Sequence, residues 1–437
     1  MTRFLTTLAF LAATTAPAFA DVDIQEVETP AGFTAWLVEE PSIPFVSLEI
    51  WFRGGTSVDA PGKRGAVNLM TALLEEGSGD LDARGFAEAR DDLAASFGFR
   101  ASDDTVTVSA RFLSETTDDA VALLKQAITA PSMDPVAVER VRAQVLAGLR
   151  SDAEDPGAIA SQTFAKLAFG DHPYGSDGDG TLDSVAALTR EDLLAAHAGA
   201  MAQDRIYIGA AGDISPEKLA EVIDTLLADL PETGAPLPGP APLLLTGDVD
   251  VVPFETPQSV IQFAQPGMAR DDPDFFAAYV VNQIFSGGGF GARLMTEVRE
   301  KRGLTYGIYA YLAQKDQSEL LVGQASTANE RAAETVAVIR EEWAKMQADG
   351  PTQAELDQAK TYLTGAYPLR FDGNDSLARI VVGMQIDGLS IDYIATRNDK
   401  VEAVTLEDAR RVAGELLDPD ALSFVIVGQP EGLDLGN

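Results

Sequence analysis

Cysteine and histidine, the side chains that most often bind transition metals or act as nucleophiles and acid–base catalysts, are scarce in this sequence. The chain has no cysteine and two histidines, His172 and His197. The lack of cysteine excludes disulfides, thiolate metal sites and a cysteine nucleophile. His172 invites a metal or acid–base interpretation, but the proline and glycine around it favour a structured surface turn. His197 follows a helix-like run of leucine and alanine, which favours a packed or capping role. The two are too far apart to bind a metal as a His-x-x-x-His pair.

The composition favours an exported, folded protein with more than one packed unit. The chain has 437 residues, 46% of them hydrophobic, which exceeds what one core usually organises. Residues 1–20 have a basic start, an apolar run and a small-residue cleavage site, so we expect a removed signal peptide and a periplasmic protein. No later stretch is long enough for a membrane span. The net charge of −36 opposes nucleic acid as a partner. It favours basic or neutral peptides, or serves solubility alone.

A proline-rich segment separates two halves that resemble each other. Residues 231–243 lack apolar periodicity, and their prolines disfavour helix and sheet. The segments Leu188–Asp192 and Val404–Asp408 match at an offset of about 216 residues, and Gly212 matches Gly428 at the same offset. We therefore expect one unit of about two hundred residues to be duplicated, with the proline-rich segment as the linker.

Alternating sequence runs predict the secondary structure of each half. One apolar strand face comprises Val46, Leu48, Ile50 and Phe52. Residues 106–112 form a second such face, and helix-period runs include 66–75 and 352–366. The pattern predicts an α+β fold of two homologous lobes, at 21–230 and 244–437. Each lobe is expected to be a largely antiparallel sheet covered by helices on one side.

The stretch Gly287–Tyr306 carries a specific motif. A glycine-rich loop is followed by a helix with an Arg-Leu pair and then by Arg-Glu-Lys-Arg-Gly-Leu-Thr-Tyr. This pattern resembles the second-lobe signature of the pitrilysin/insulinase family, the inverted zincins. Further family-like pieces, among them Gly65 with the following helix and Phe169–Gly175, extend the resemblance over nearly the whole chain. The resemblance implies two homologous lobes of sheet plus helices.

The resemblance also implies a zinc site, which this sequence does not retain. Active members carry His-x-x-Glu-His on the helix after the glycine that corresponds to Gly65, and a downstream glutamate is the third ligand. Here Asn68, Thr71 and Ala72 occupy the motif positions, and Gly148 falls near the third-ligand position. Amide, hydroxyl and methyl groups cannot hold a catalytic zinc or activate its water. We therefore expect no metal in this chain and no peptide hydrolysis by the chain alone.

The family pattern assigns a role to the second lobe as well. In the family, a second-lobe arginine and tyrosine face the zinc of the opposite lobe and bind the substrate carbonyl. The matching residues are Arg299 and Tyr306, with Arg302 as a less certain companion. Guanidinium and phenol groups are good donors to a developing oxyanion. Without the family pattern, Arg299 would be assigned to a solvated helix and Tyr306 to half-buried strand packing. Glu297 and Glu300 offer Arg302 ordinary ion-pair partners.

The glycines Gly287, Gly288 and Gly289 allow two interpretations. They do not form a phosphate loop, because no Gly-Lys-Ser/Thr follows and helix-like residues precede them. The run could form a corner between helices with positive φ angles. Alternatively, the resemblance to zinc-less processing subunits implies a flexible flap that touches the substrate.

Together these features predict the non-catalytic subunit of a zinc peptidase. We expect this chain to pair with a homologous His-x-x-Glu-His chain, which holds the zinc, and to enclose an extended peptide that adds as a strand to a sheet edge. The alternatives are a stand-alone peptide-binding or holdase-like protein and a structural protein of the envelope. Retention of the arginine and tyrosine favours the peptidase subunit, because a structural wall needs no carbonyl donors.

Overall fold

The computed structural model describes residues 22–287, 289 and 291–433. The expected signal peptide at 1–20 and Gly288 lie outside the described residues. Within the described ranges, each helix is too short or too polar to cross a membrane.

Strands with period-two alternation form the sheet of the N-terminal half. The strands of this half are β1 (Gln25–Glu28), β2 (Thr34–Glu39), β3 (Phe45–Arg53), β4 (Gly77–Ser78), β5 (Leu81–Asp82), β6 (Ser96–Ala101), β7 (Thr105–Leu113) and β8 (Ile206–Gly212). Strands β4 and β5 pair with each other in a separate two-stranded sheet. Its helices are α1 (Ala66–Thr71), α2 (Ala83–Asp92), α3 (Thr117–Thr129), α4 (Pro135–Asp152), α5 (Pro156–Phe169), α6 (Leu182–Ala187), α7 (Arg190–Ala200) and α8 (Pro216–Leu227). The apolar face of β3 is buried against these helices, as the alternation predicted.

The C-terminal half repeats the arrangement of strands and helices. Its strands are β9 (Val249–Pro253), β10 (Gln258–Pro266), β11 (Ile308–Lys315), β12 (Ser318–Ala328) and β13 (Ser423–Gly428). Its helices are α9 (Phe275–Ser286), α10 (Ala332–Asp349), α11 (Gln353–Ala366), α12 (Asn374–Ile386), α13 (Tyr393–Ala403) and α14 (Leu406–Leu416). A π-helical segment, Met295–Glu300, lies between α9 and β11.

The two sheets share one strand order. The N-terminal sheet runs β1-β2-β8-β3-β7-β6, and the C-terminal sheet runs β9-β13-β10-β12-β11. In each sheet a parallel pair, β2 with β8 or β9 with β13, is followed by antiparallel pairs. The N-terminal sheet has β1 as an additional antiparallel strand. The predicted α+β fold, with two homologous and largely antiparallel sheets covered by helices, is confirmed.

The repeated sequence segments have repeated structural roles. Thr189 and Thr405 begin α7 and α14 with capping boxes, in which an aspartate three residues on accepts the threonine N–H. Gly212 and Gly428 end β8 and β13 with φ angles of 132° and 154°. A Cβ on Gly212 would lie 2.2 Å from the Phe45 carbonyl oxygen. Glycine is therefore required at this strand end for both its conformation and its close approach.

Each half contributes one helix to the sheet of the other half. Helix α12 packs on β8, β3 and β2, where Val381 shares a buried cluster with Trp36 and Val38. Helix α5 packs on β13 and β10, where Phe164 shares a buried cluster with Val425. The expectation that helices cover one side of each sheet was therefore incomplete. A helix from the opposite half covers part of the second face.

Two equivalent hairpins also join the halves. The turn between β6 and β7 contains Asp104, and the turn between β11 and β12 contains Asp316 and Gln317. The Asp104 carboxylate accepts the Asp316 N–H at 3.2 Å. Tyr174 donates its hydroxyl proton to Asp104 and accepts the Gln317 N–H at 3.2 Å. A buried tyrosine thus ties one hairpin turn to the other.

The connection between α8 and β9, residues 228–248, forms neither helix nor strand. Its backbone N–H groups bond to both halves, from Ala235 to the Gly199 carbonyl and from Ala241 to the Gln317 carbonyl. The connection therefore crosses from one half to the other in contact with each. The linker bounds at 231–243 stay a prediction.

Candidate functional site

Helix α1 begins after Gly65, the glycine that precedes the zinc motif in the family pattern. Gly65 has a φ angle of 92°, and a Cβ there would lie 2.6 Å from the Asp179 carbonyl oxygen. The Asp59 carboxylate accepts the N–H groups of Gly65 at 2.9 Å and Val67 at 2.8 Å, which satisfies donors at the helix start. Burial raises the pKa of Asp59. The helix ends at Thr71 and is followed by turns, so the predicted extension to residue 75 is wrong.

The positions of the zinc motif carry groups that do not fit a metal. Asn68 is half-buried and Ala72 is exposed, while the buried Thr71 hydroxyl donates to the Val67 carbonyl at 2.8 Å. Gly148 is exposed on α4, which contacts α1. An amide, a hydroxyl and a methyl group are not a ligand set for catalytic zinc. Over residues 22–287, 289 and 291–433, no cluster of three or more His, Cys, Asp or Glu side chains is arranged to hold a metal ion.

Arg299 belongs to the π-helical segment Met295–Glu300. The Lys301 N–H bonds to the Thr296 carbonyl, five residues back. Such wide turns are rare and occur frequently at functional sites. Arg299 lies in the last turn of the segment and is half-buried. Arg299 therefore lies at a backbone irregularity of the kind that occurs frequently at functional sites.

Arg302 is bound to its own helical segment. Its Nη1 atom donates to the Glu297 carboxylate at 2.9 Å and to the Glu297 carbonyl at 2.7 Å. The same carboxylate accepts the Lys301 ammonium at 2.6 Å, and these bonds lower the pKa of Glu297. This is the ordinary ion pair that the sequence offered as the alternative role of Arg302.

Tyr306 lies in the turn that leads into β11. Gly303, with a φ angle of 60°, separates this turn from the π-helical segment. Tyr306 is 90% exposed, so half-buried strand packing does not describe it. Two further exposed tyrosines, Tyr309 and Tyr311, stack with ring centroids 6.4 Å apart on β11, the end strand of its sheet. The structure therefore places an exposed tyrosine surface at this sheet edge.

The glycine run follows α9 directly. Gly287 and Gly289 are exposed. The φ angle of Gly287 is −65°, so the corner interpretation, which required a positive φ, is wrong at this residue. A Cβ on Gly287 would lie 2.8 Å from Gln283 Oε1, whereas a Cβ on Gly289 would meet no atom within 4 Å. The flap interpretation stays a prediction.

Both histidines are held in hydrogen bonds that serve the fold. His172 Nδ1 accepts the Tyr174 N–H at 3.2 Å, so Nε2 carries the proton that faces the Gly239 carbonyl at 3.1 Å. His197 is buried, and its Nε2 donates to the Ile128 carbonyl at 2.8 Å. Burial lowers the pKa of His197, which favours the neutral ring. His197 is thus the packed histidine that the sequence favoured.

A buried polar cluster lies on β3, and the sequence did not predict it. Glu49 is 4% exposed, accepts from Trp51 Nε1 at 3.0 Å and Ser109 Oγ at 2.8 Å, and lies 3.6 Å from Arg379 of α12. Burial raises the pKa of Glu49. Alternation assigns Glu49 to the strand face opposite the core, which usually meets solvent. The cluster becomes visible only once α12 is placed over the sheet.

Comparisons with known proteins agree with this architecture. Residues 35–177 match the family profile described as Insulinase (Peptidase family M16), and residues 187–363 match the one described as Peptidase M16 inactive domain. A solved peptidase M16 inactive domain from Pseudomonas fluorescens is 30% identical, with a TM-score of 0.86 over 94% of this chain and 98% of that chain. The non-peptidase homologue YmxG of Helicobacter pylori is 26% identical over 94% of both chains. An uncharacterized zinc protease of Streptomyces coelicolor is 25% identical over 90% of this chain and 87% of its own length.

The duplicated sheet, the glycine corner before α1 and the motif around Arg299 define a two-lobed metallopeptidase fold whose first-lobe helix lacks the metal motif. The chain belongs to the insulinase family, peptidase family M16. The family resemblance that the sequence showed is thereby confirmed. Its relatives include both an inactive domain and a protein described as a zinc protease.

Proposed function

We propose that this chain is the non-catalytic subunit of a periplasmic zinc peptidase. A homologous His-x-x-Glu-His chain supplies the zinc and the general base, and this chain contributes Arg299 and Tyr306 to the shared site. The proposal is supported by α1, where Asn68, Thr71 and Ala72 replace the ligands and the base. It is supported also by the similarity to a non-peptidase homologue and an inactive domain. The signal-like N-terminus supports export.

The observation that carries the proposal is the exposure of Tyr306. A tyrosine ring is a large amphipathic surface, enriched where a protein meets a ligand or partner. Tyr306 is 90% exposed and follows closely on the segment with Arg299. Donors of this kind act on a developing oxyanion most strongly where water is excluded. Enclosure by a partner chain would supply that exclusion.

The peptide is proposed to add as a strand at a sheet edge. The end strands β6 and β11 are the candidates, since α1 contacts β6 and Tyr306 lies two residues before the start of β11. Strand addition supplies main-chain hydrogen bonds, so backbone shape matters more than any single side chain. The net charge of −36 favours basic or neutral peptides and opposes nucleic acid.

The test is to reconstitute this chain with a homologous chain that carries His-x-x-Glu-His. Zinc content and peptide hydrolysis are compared for each chain alone and for the mixture. The double variant Arg299→Ala/Tyr306→Phe is expected to lower kcat of the mixture about 100-fold or more, because oxyanion donors contribute that much, without changing assembly. Arg84→Ala is the control, since this arginine is exposed on α2 and lies outside the motif.

Two results would refute the proposal. An unchanged kcat in the Arg299/Tyr306 variant would remove the assigned roles and favour a stand-alone peptide-binding or structural protein. Stoichiometric zinc in the lone chain, together with chelator-sensitive hydrolysis, would show that this chain is itself catalytic.

A further inference from the structure

A cavity of about 400 Å³ lies between α12, the start of α9 and α13. Its described lining residues belong neither to α1 nor to the π-helical segment. Four arginines line it, namely Arg270, Arg370, Arg379 and Arg397, and the acid among the lining residues is Asp387. This excess of positive charge contrasts with the whole chain, in which 68 acidic residues outnumber 32 lysines and arginines.

Arg397 is the most buried of these cations, at 4% exposure. It donates to the Leu363 carbonyl at 2.8 Å, to Asn398 Oδ1 at 2.9 Å and to the Tyr279 hydroxyl at 3.1 Å. The ring of Tyr367 lies against it, with the centroid 4.4 Å from the guanidinium carbon. Neutral oxygens and an aromatic face therefore hold this buried charge in place.

The other arginines differ in their partners. Arg270 donates to the Tyr393 hydroxyl at 2.6 Å, and Arg370 is exposed at the rim. Arg379 pairs with the buried carboxylate of β3 at 3.6 Å. Within the part of the chain that the structure describes, no carboxylate oxygen lies within 4.0 Å of the guanidinium nitrogens of Arg270, Arg370 or Arg397.

This arrangement is electrostatically incomplete. A guanidinium removed from water loses hydration that neutral acceptors restore only in part, and neighbouring cations repel one another. Three of the arginines act on Tyr367, whose pKa burial nevertheless raises to about 12, so its phenol stays a neutral donor. An anion inside the cavity would relieve the repulsion and accept charge-assisted hydrogen bonds.

The remaining lining residues of the cavity favour an apolar group in the rest of the ligand. Apolar side chains, among them Phe276, Ile380, Met384 and Leu389, line the same space. A cavity of this size and mixed lining fits a small ligand with an apolar body and a few oriented polar groups.

We propose that this cavity binds the carboxylate of an amphipathic ligand, with the acid group among Arg270, Arg370 and Arg397 and the apolar body against the opposite wall. Two sources share this chemistry, the C-terminal carboxylate of a peptide with an apolar last residue and a free organic acid. In its peptide form the inference rests on the proposed peptide binding, and it would add an anchor for the peptide C-terminus.

The test is titration calorimetry on the whole mature chain at low ionic strength. The probes are phenylpropionate, acetyl-Ala-Ala-Phe with a free C-terminus, and the amide of each. We expect saturable binding of at least one acid, and at least tenfold weaker binding of its amide, because the amide loses the charge-assisted bonds. Arg270→Gln and Arg370→Gln are each expected to weaken acid binding about tenfold. Arg84→Gln, an exposed arginine on α2, is the charge-matched control and should leave it unchanged.

The two acids distinguish a peptide ligand from a free organic acid. Binding of the tripeptide acid alone identifies a peptide C-terminus as the ligand, and binding of phenylpropionate alone identifies a free acid. No binding of either acid, or binding of each acid no tighter than that of its own amide, overturns the assignment and leaves the arginines as supports for the aromatic rings. Equal binding of the peptide acid and amide would leave peptide binding intact while this cavity loses its role, so the two proposals fail separately.

Discussion

Gly209→Ala tests whether each half contributes a helix to the sheet of the other half, because it adds one methyl group between β8 and α12. Gly209 lies in β8 beneath α12, and a Cβ there would come 2.4 Å from the Ala378 carbonyl oxygen and 2.9 Å from Val381 Cγ2. Contacts under 3.0 Å are essentially never seen for a real Cβ, and the nearest atom belongs to the helix backbone. Gly209→Ala must therefore displace α12 from the sheet.

The expected magnitude combines two opposing effects. Overpacking of this kind costs about 1–3 kcal/mol. The loss of glycine flexibility in the unfolded chain returns about 0.4–1 kcal/mol. We expect Gly209→Ala to lower the free energy of unfolding by about 1–2 kcal/mol.

Two equivalent glycines in helices provide the matched controls. Gly148 in α4 and Gly365 in α11 have no atom within 4 Å of an added Cβ. Gly148→Ala and Gly365→Ala should each raise the free energy of unfolding by about 0.5–1 kcal/mol, because alanine favours the helix interior. A glycine-to-alanine substitution is thus expected to lower the free energy of unfolding at Gly209 and to raise it at Gly148 and Gly365, because only at Gly209 does the added Cβ meet other atoms.

Urea unfolding followed by far-UV circular dichroism measures all three variants under one condition. Equal slopes against urea would show that the unfolded surface is unchanged, so midpoints compare stability directly. If Gly209→Ala were as stable as the parent chain while the helical controls gained stability, α12 would not lie this close to β8. The exchange of helices would then be refuted.

The remaining predictions concern single polar contacts. Tyr174→Phe removes the hydroxyl that binds Asp104 between the hairpins and should cost about 2–3 kcal/mol in urea unfolding, whereas the exposed Tyr362→Phe should change it by less than about 0.5 kcal/mol. Glu355 accepts two bonds from Arg293 at 2.6 and 2.7 Å, and these lower its pKa to about 2. Because the folded-state pKa lies below the ordinary value, this stabilisation is present above that value and is lost as pH falls toward 2. Glu355→Gln should therefore lower the free energy of unfolding by about 1–2 kcal/mol near neutral pH, after allowance for the partial exposure of Glu355. The difference in free energy of unfolding between parent and variant should shrink as pH falls toward 2, and a difference that stayed constant with pH would contradict the assignment.

The local structure follows from the sequence where neighbouring residues decide it. The alternation around Ile50 predicts which face of β3 is buried, and the segments at Thr189 and Thr405 predict matching helix starts. The two strand orders then confirm the duplication that these segments indicated. The absence of zinc ligands at Asn68 and Ala72 is likewise a property of residue type alone.

Other features depend on contacts between residues far apart in the chain. Alternation assigns Glu49 to an outer face, yet Arg379, more than three hundred positions later, covers it. The cavity arginines Arg270, Arg370 and Arg397 show no common spacing and converge only after α9, α12 and α13 pack.

The sequence by itself determined the duplicated α+β plan, the family and the loss of metal-binding side chains, because periodicity, capping and residue chemistry act over a few neighbouring positions. The tertiary structure alone decided which half covers each sheet, that Tyr306 is exposed and that cationic side chains surround one cavity. These outcomes depend on how surfaces from distant segments fit together, and one-dimensional patterns do not encode that fit.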